Sequence, residues 1–140
     1  MASQDKVAFI TGANKGIGLE TARGLGQLGI AVVIGSRDEA NGRAAADKLR
    51  SEGIGKVESV RFDVTKPADH QAIARHLEGR YGKLDILVNN AGVLLDEVEI
   101  ETGGSNTTST VTSEVLRKTF ETNFFAVVAL TQALLPLIRK

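Results

Sequence analysis

A glycine-rich turn behind a short apolar run constrains this chain more than any other feature. The run Val7–Ile10 leads into Gly12, and Gly16 and Gly18 follow at short spacing. This order is typical of a strand, a tight turn and the start of a helix, because glycine lets the backbone turn sharply and approach other groups closely. The first turn of such a helix offers N–H groups and a positive dipole end to an anion. The segment therefore predicts a site for the phosphates of a dinucleotide, with the candidate binding residues Gly12, Asn14, Lys15, Gly16, Ile17 and Gly18.

Apolar runs and helical patterns alternate along the chain. The predicted strands are Val7–Thr11, Ala31–Gly35, Val57–Asp63 and Leu84–Asn89, and the last is too apolar to be half-exposed. The predicted helices are Gly16–Leu28, Asp38–Glu52 and Thr112–Leu135, with Asp38 as the cap of the second, and a further helix that follows the start signal Thr65-Lys66-Pro67 and ends near Gly82. The pattern in the first helix places Ile17, Thr21, Leu25 and Leu28 on one face. Strands that alternate with helices imply an α/β fold with a parallel sheet, and residues 1–140 are expected to form one domain.

The composition excludes several classes of function. The chain has 42% hydrophobic and 24% charged residues and a formal net charge of zero, as ordinary soluble globular proteins do. The balanced charge argues against a nonspecific nucleic-acid binder. The absence of cysteine excludes thiol catalysis and cysteine-based zinc sites, and it suits a cytoplasmic protein. His70 and His76 are predicted on different faces of a helix, so we expect both to be exposed and no metal site.

Two further segments limit the interpretation. The longest uninterrupted apolar run, Phe124–Leu130, is far shorter than the about 18 residues that span a bilayer, so no membrane segment is expected. Residues Asp96–Thr112 are first acidic and then rich in glycine, serine and threonine, with no apolar period. Such a long loop is either the flank of an active site or a mobile insert.

Four motifs occur in the order that one known family shows. Residues 11–18, with Thr11, Gly12, Gly16, Ile17 and Gly18, resemble the T-G-x-x-x-G-I-G motif of the short-chain dehydrogenase/reductase family. Residues 89–92 resemble its N-N-A-G motif, and Asp63 stands where the family has an acidic residue near the adenine. Asn123 stands where the family has a catalytic-site asparagine. The resemblance covers nearly the whole chain but only the first half of a typical member.

The resemblance implies a fold, a reaction and a set of contacts. The fold would be a doubly wound parallel sheet of the Rossmann type, truncated after about four strands. The reaction would be hydride transfer between a nicotinamide and a carbonyl or alcohol carbon of a small molecule, as in the carbonyl-reductase-like branch that uses NADP(H). The implied contacts to the cofactor are Asp63, Val64, Asn90, Ala91 and Gly92, and the implied catalytic-site residue is Asn123. Taken without the family, residues 89–92 are also a strand exit whose asparagines bond to backbone, and Asp63 is also a loop cap.

Charge at the end of the second strand indicates the choice of cofactor. Gly35-Ser36-Arg37 carries no acid before Arg37, whereas sites that prefer NAD place an acid there for the ribose hydroxyl. The Arg37 guanidinium can bind a 2′-phosphate bidentately, and Lys15 adds a second cation. The sequence therefore predicts a preference for NADP(H), although Asp38 and Glu39 weaken this argument and Arg37 is alternatively a solvated residue at a helix start.

Most of the family's catalytic residues have no counterpart in this sequence. The resemblance implies a tyrosine with a lysine four residues later and a serine, but Tyr81 is followed at that spacing by Asp85 and no serine follows Ser113. The chain is therefore expected to be catalytically incomplete. The alternatives are a noncatalytic half-domain that binds NADP or a partner, and a truncated product without a function of its own.

The long predicted helix suggests self-association. Residues Phe124–Leu130 are apolar around the whole helix, so one face needs a partner. The strand at 84–88 would lie at a sheet edge, with only Asp85 to discourage pairing with another chain. We expect the chain to associate with copies of itself through the helix at 112–135 or through the edge of the strand at 84–88, or to aggregate.

Overall fold

A computed structural model describes residues 6–92 and 112–140. Its strands are β1 (Val7–Thr11), β2 (Ala31–Ser36), β3 (Val57–Arg61) and β4 (Ile86–Val88). The intervening helices are α1 (Gly16–Gln27), α2 (Glu39–Ser51) and α3 (Pro67–Tyr81). A long helix follows, formed by α4 (Ser113–Phe120), a π-helical turn (Glu121–Phe125) and α5 (Ala126–Ile138). Residues 96–111 of the predicted loop lie outside the described residues.

The sheet is parallel, with the strand order β3-β2-β1-β4. The central strand β1 places Phe9 opposite Val33 of β2 and Leu87 of β4. All five residues of β1 are buried, because helices cover both faces of a parallel sheet. The predicted α/β class and the doubly wound Rossmann-type arrangement are confirmed.

Two apolar clusters cover the two faces of the sheet. On one face, α3 and α5 pack against β1 and β2 through Phe9, Val33, Leu77, Leu130 and Leu134. On the other face, α1 and α2 pack through Ala22 and Leu49 against Ile10 and Ile34. Alternate residues of each strand therefore serve opposite layers, which fixes the strands in one register.

Local signals begin and end the helices close to the predicted positions. The Asp38 carboxylate caps α2 by accepting a hydrogen bond from the Asn41 N–H over 2.8 Å. Pro67 is the first residue of α3, where its missing N–H costs nothing. Gly82 ends that helix in the left-handed region at φ 75°.

The predicted face of α1 is wrong for Ile17 and Leu28, whereas Leu25 of that face packs partly buried against the core. Ile17 and Leu28 are 79% and 77% exposed, whereas Gly18, Leu19 and Ala22 are the buried residues. Gly18 lies in close contact with the Asn90 side chain and with the turn at Gly12 and Ala13, and no hydrophobic pattern signals this contact.

The expectation that the fourth strand is too apolar to be half-exposed is also wrong. Residues Ile86–Val88 are all half-buried, since β4 pairs with β1 on one side only and lies at an edge of the described sheet. The position at an edge agrees with the sequence-based prediction, and the exposure follows from it.

The long helix ends later than predicted, and its two halves are buried to different extents. It continues through Pro136 to Ile138, because Leu137 is buried in the core and its packing offsets the missing N–H of the proline. Leu130 and Leu134 are buried, but Leu116 and Phe120 are exposed, since the π-helical turn shifts the register between the two halves. By length and composition the helix Ser113–Ile138 would also suit a membrane span, a test that core helices of soluble proteins pass as well.

Candidate functional site

A cavity of about 490 Å³ lies at the carboxyl edge of the sheet, where all four strands end. Ligand sites of open α/β sheets lie at this edge. Residues that follow each strand line it: Gly12, Asn14, Lys15 and Gly16 after β1, Ser36, Arg37, Asp38 and Asn41 after β2, Phe62, Asp63, Val64 and Thr65 after β3, and Asn90, Ala91 and Gly92 after β4. Thr122 of the long helix completes the lining. Ten of the predicted binding residues therefore share one cavity, and Ile17 and Gly18 stand just outside its lining.

The glycine turn is shaped by two residues in the left-handed region. Gly12 and Gly16 have φ values of 62° and 61°, which other residues adopt only with strain. A Cβ atom added to Gly12 would lie 3.0 Å from the Cα of Ala91, so the turn and the end of β4 are in close contact. The turn is therefore a preformed cradle of backbone groups, which is the kind of surface that binds phosphate.

Thr11 and Asn90 join the turn to the end of β4. The Thr11 hydroxyl oxygen accepts hydrogen bonds from the backbone N–H groups of Asn90 and Ala91 over 3.0 and 2.9 Å. The Asn90 side chain donates to the Gly12 carbonyl over 3.0 Å. A Cβ on Gly18 would lie 2.6 Å from the Asn90 side-chain nitrogen and 2.7 Å from that same carbonyl. Gly18 therefore acts through close packing, although its motif position is the only signal the sequence offers for this.

Asp63 carries a fixed negative charge in the cavity wall. Burial opposes its ionisation, but the carboxylate accepts hydrogen bonds from the Thr65 hydroxyl over 2.6 Å and from the Thr65 backbone N–H over 2.9 Å. These bonds and the charges of Lys66 and Arg37 hold the pKa of Asp63 below its usual value. Arg37 is exposed at the cavity and within electrostatic reach of this carboxylate. The wall after β3 therefore combines an acceptor for hydrogen bonds with a cation suited to a phosphate.

The π-helical turn brings the helix residues to the site. Thr122 lines the cavity, and the Asn123 side-chain oxygen lies 3.2 Å from the position of a Cβ added to Gly92. Asn123 is exposed on the helix but faces the end of β4 at this point. Single π-helical turns of this kind occur frequently at functional sites. No apolar period in the sequence signals the turn.

Tyr81 lies at the opposite, amino-terminal edge of the sheet. It lines a second concavity of about 440 Å³ together with Val7, Ala31 and Arg80. Its hydroxyl donates to Glu58 over 3.3 Å and accepts from Arg80 over 3.1 Å, and burial is the main cause that raises the pKa of Tyr81. This position cannot serve a reaction in the cavity at the carboxyl edge.

The two histidines have structural partners. His70 is only 5% exposed and its Nε2 lies 2.6 Å from the Val64 carbonyl oxygen, so the predicted exposure is wrong for this residue. The signal was present in the sequence, because His70, Ile73 and Leu77 follow the helical period and all three are buried. His76 Nε2 lies 2.7 Å from a Glu58 carboxylate oxygen. In residues 6–92 and 112–140, no group of three potential ligands is placed to hold a metal ion.

Known proteins resemble this chain in sequence. Residues 6–140 match the family described as short chain dehydrogenase. The chain is 36% identical to short-chain dehydrogenase/reductase 1 of Saponaria officinalis, over 98% of this chain and 50% of that protein. It is 39% identical to carbonyl reductase [NADPH] 3 of Rattus norvegicus, over 99% of this chain and 47% of that protein.

A solved structure agrees with these matches. Menthone neomenthol reductase from Mentha piperita superimposes with a TM-score of 0.82 at 33% identity, over 97% of this chain and 57% of that one. The chain thus spans about half the length of the curated relatives it matches. The glycine turn, the N-N-A-G end of β4 and the sheet order agree with the family match, and this chain belongs to the short-chain dehydrogenase family.

Proposed function

We propose that this chain forms the NADP(H)-binding part of a short-chain oxidoreductase that acts on a carbonyl or alcohol carbon of a small molecule. The observation that carries the proposal is that Lys15 and Arg37 line the same cavity as Asp63. Two cations beside an ordered carboxylate suit a nucleotide whose ribose bears a 2′-phosphate. The rat relative is named carbonyl reductase [NADPH] 3, and this similarity supports the same cofactor and substrate class for the chain.

The residues of the cavity have separate roles in this proposal. The turn of Gly12 and Gly16 holds the pyrophosphate, and Arg37 and Lys15 hold the 2′-phosphate. Asp63 and Val64 flank the adenine, while Asn90, Ala91 and Gly92 form the floor. The bound cofactor would supply or accept the hydride. Asn123, which lies beside Gly92, would belong to the catalytic site.

A noncatalytic nucleotide-binding half-domain is the second candidate. It is supported by the position of Tyr81, the one tyrosine of the sequence, at the edge of the sheet opposite the cavity. Both candidates share NADP(H) binding and a cytoplasmic setting, and neither involves a nucleic acid, a metal or a membrane.

Calorimetric titration of the purified chain with NADPH and NADH tests the shared part. We expect saturable binding of NADPH and a weaker affinity for NADH. Equal affinity for the two nucleotides would contradict the role of Arg37 and Lys15, and the absence of binding to either would contradict the proposed function as a whole.

A further inference from the structure

The cavity wall between β3 and α3 depends on neighbouring elements for its shape. This segment, Phe62–Thr65, is neither helix nor strand, yet all four residues line the cavity. Polar backbone groups in such a segment need partners if the segment is to hold one conformation. The Phe62 N–H donates to the Ser36 carbonyl over 2.8 Å, and the Lys66 N–H donates to the Asp63 carbonyl over 3.0 Å.

Asp69, in the first turn of α3, holds one side of the segment. Its carboxylate accepts a hydrogen bond of 2.9 Å from the Asp63 backbone N–H. Both of its oxygens also lie 2.9 Å from the terminal nitrogen of Arg61. The Asp69 side chain is 13% exposed, so little water competes for these bonds.

His70, the next residue, holds the other side. Its Nε2 lies 2.6 Å from the Val64 carbonyl oxygen, and because a carbonyl only accepts, this nitrogen carries the proton and donates. The ring also stacks on Phe62, with the centroids 6.0 Å apart and the planes 27° from parallel. Since Phe62 and Val64 line the cavity and His70 does not, the imidazole supports the wall from behind.

We infer that His70 and Asp69 are positioning residues for the adenine end of the bound nucleotide. They fix the N–H of Asp63 and the carbonyl of Val64, two neighbouring groups of the backbone, and so set where the Asp63 carboxylate lies in the cavity. Neither residue touches the nucleotide. This inference rests on the proposed function, because it concerns the same cavity.

Titration with 2′,5′-ADP, which carries the adenine and the 2′-phosphate but no nicotinamide, tests the inference on the full chain. His70→Leu fills the space of the imidazole but has no N–H donor. Its Kd for 2′,5′-ADP should rise about tenfold, which corresponds to about 1.4 kcal/mol of binding free energy. His70→Gln retains an N–H donor at the end of its side chain and should restore most of the affinity. Amide hydrogen exchange at residues 63–66 should become faster in His70→Leu than in His70→Gln.

Ile73→Val is the matched control, because Ile73 is buried on the same helix and forms no hydrogen bond to the segment that His70 holds. It should lower the melting temperature and leave the Kd unchanged. A Kd that is unchanged in His70→Leu, or raised equally by Leu, Gln and the control, would overturn the inference. If the unmodified chain fails to bind 2′,5′-ADP, both the proposed function and the inference on His70 are wrong. Binding that is strong and insensitive to His70 overturns only the positioning role.

Discussion

The Asn90 side chain donates a hydrogen bond to the Gly12 carbonyl over 3.0 Å, although 78 residues separate the two in sequence. Each residue belongs to a different motif of the family, and this hydrogen bond connects the two motifs. We call this connection the joint. The joint closes the floor of the cavity against the turn that would bind phosphate. Substitutions at either side should therefore affect folding stability and nucleotide binding together.

Gly18→Ala should disturb this joint. A Cβ at position 18 would lie 2.6 Å from the Asn90 side-chain nitrogen and 2.7 Å from the Gly12 carbonyl oxygen, and neither neighbour can move without breaking their bond. We expect a loss of about 1–3 kcal/mol in the free energy of unfolding, measured by denaturant titration, and weaker NADPH binding.

Gly24→Ala is the control on the same helix, because nothing lies within 4 Å of its added Cβ. This variant should be about 0.5–1 kcal/mol more stable than the unmodified chain, since alanine favours helix more than glycine does. Equal stabilities for the two variants would contradict the packing role of Gly18.

Arg37→Asp should abolish or reverse the preference for NADPH over NADH. Loss of a charged hydrogen bond and the new repulsion from a carboxylate should raise the Kd for NADPH about 10- to 100-fold and change that for NADH little. Arg43→Asp makes the same charge change on an exposed residue of α2 that pairs with Glu39 and does not line the cavity. If both variants shift the preference equally, the effect is general electrostatics and not a contact of Arg37.

Asp63→Asn should reduce the dependence of stability on acidic pH. The folded state lowers the pKa of Asp63, so its ionised form contributes stability above the usual aspartate pKa, and this contribution is lost as pH falls through the lower, folded value. The stability gap between the unmodified chain and Asp63→Asn should therefore be widest near neutral pH and narrow with acidification. Asp47→Asn, on the exposed side of α2, controls for the loss of one negative charge, and a gap that is constant with pH would contradict the role of the carboxylate.

The chain alone should not reduce carbonyl compounds at an appreciable rate. Tyr81 is the one tyrosine in the sequence and lies at the edge of the sheet opposite the cavity, so it cannot give a proton to an alkoxide that develops in the cavity. NADPH absorbance in the presence of an aldehyde should stay constant. Rapid turnover by the purified chain that is abolished in Asn123→Ala would show that another residue supplies the proton.

Self-association should depend on the exposed aromatic residues of the long helix. Phe124 and Phe125 are 55% and 58% exposed and contact each other edge to face, with their centroids 5.4 Å apart. Sedimentation velocity should show association that rises with concentration and falls in Phe124→Ser, because apolar area in water favours burial against a second copy. Lys118→Ser, on the exposed surface of α4, should leave the association unchanged. If the unmodified chain sediments as a monomer at high concentration, the prediction is contradicted.

The order and type of the elements could be predicted because each has a local signal. The apolar runs of β1 and β2, the Asp38 cap and Pro67 at the start of α3 all lie where the sequence indicated. The face of α1 could not be predicted from its apolar residues, because Gly18 permits a close approach that no hydrophobic period encodes. The π-helical turn was likewise missed, since an extra residue in one helical turn leaves no mark on composition.

The site was predictable to the extent that its residues follow strands. Gly12, Arg37, Asp63 and Asn90 each lie one or two residues after the end of a strand, so a parallel sheet brings them to one edge. The supporting contact behind them was not predictable, because the helical period indicates that His70 is buried but not that its partner is the Val64 carbonyl. Such a contact depends on how α3 packs, which the order of motifs does not specify.

The long stretch of chain between β1 and β4 should determine the order in which the walls of the cavity form. Phe9 meets Val33 across β1 and β2 after a short stretch of chain, whereas it meets Leu87 of β4 only after most of the sequence has been made. Closing the longer loop costs more entropy, so β1, β2 and β3 should assemble early and β4 should dock late. The bond from Asn90 to Gly12 should then form only when β4 has docked. A nucleotide in this cavity would bind only chains that have completed that step, and would draw the folding equilibrium towards them.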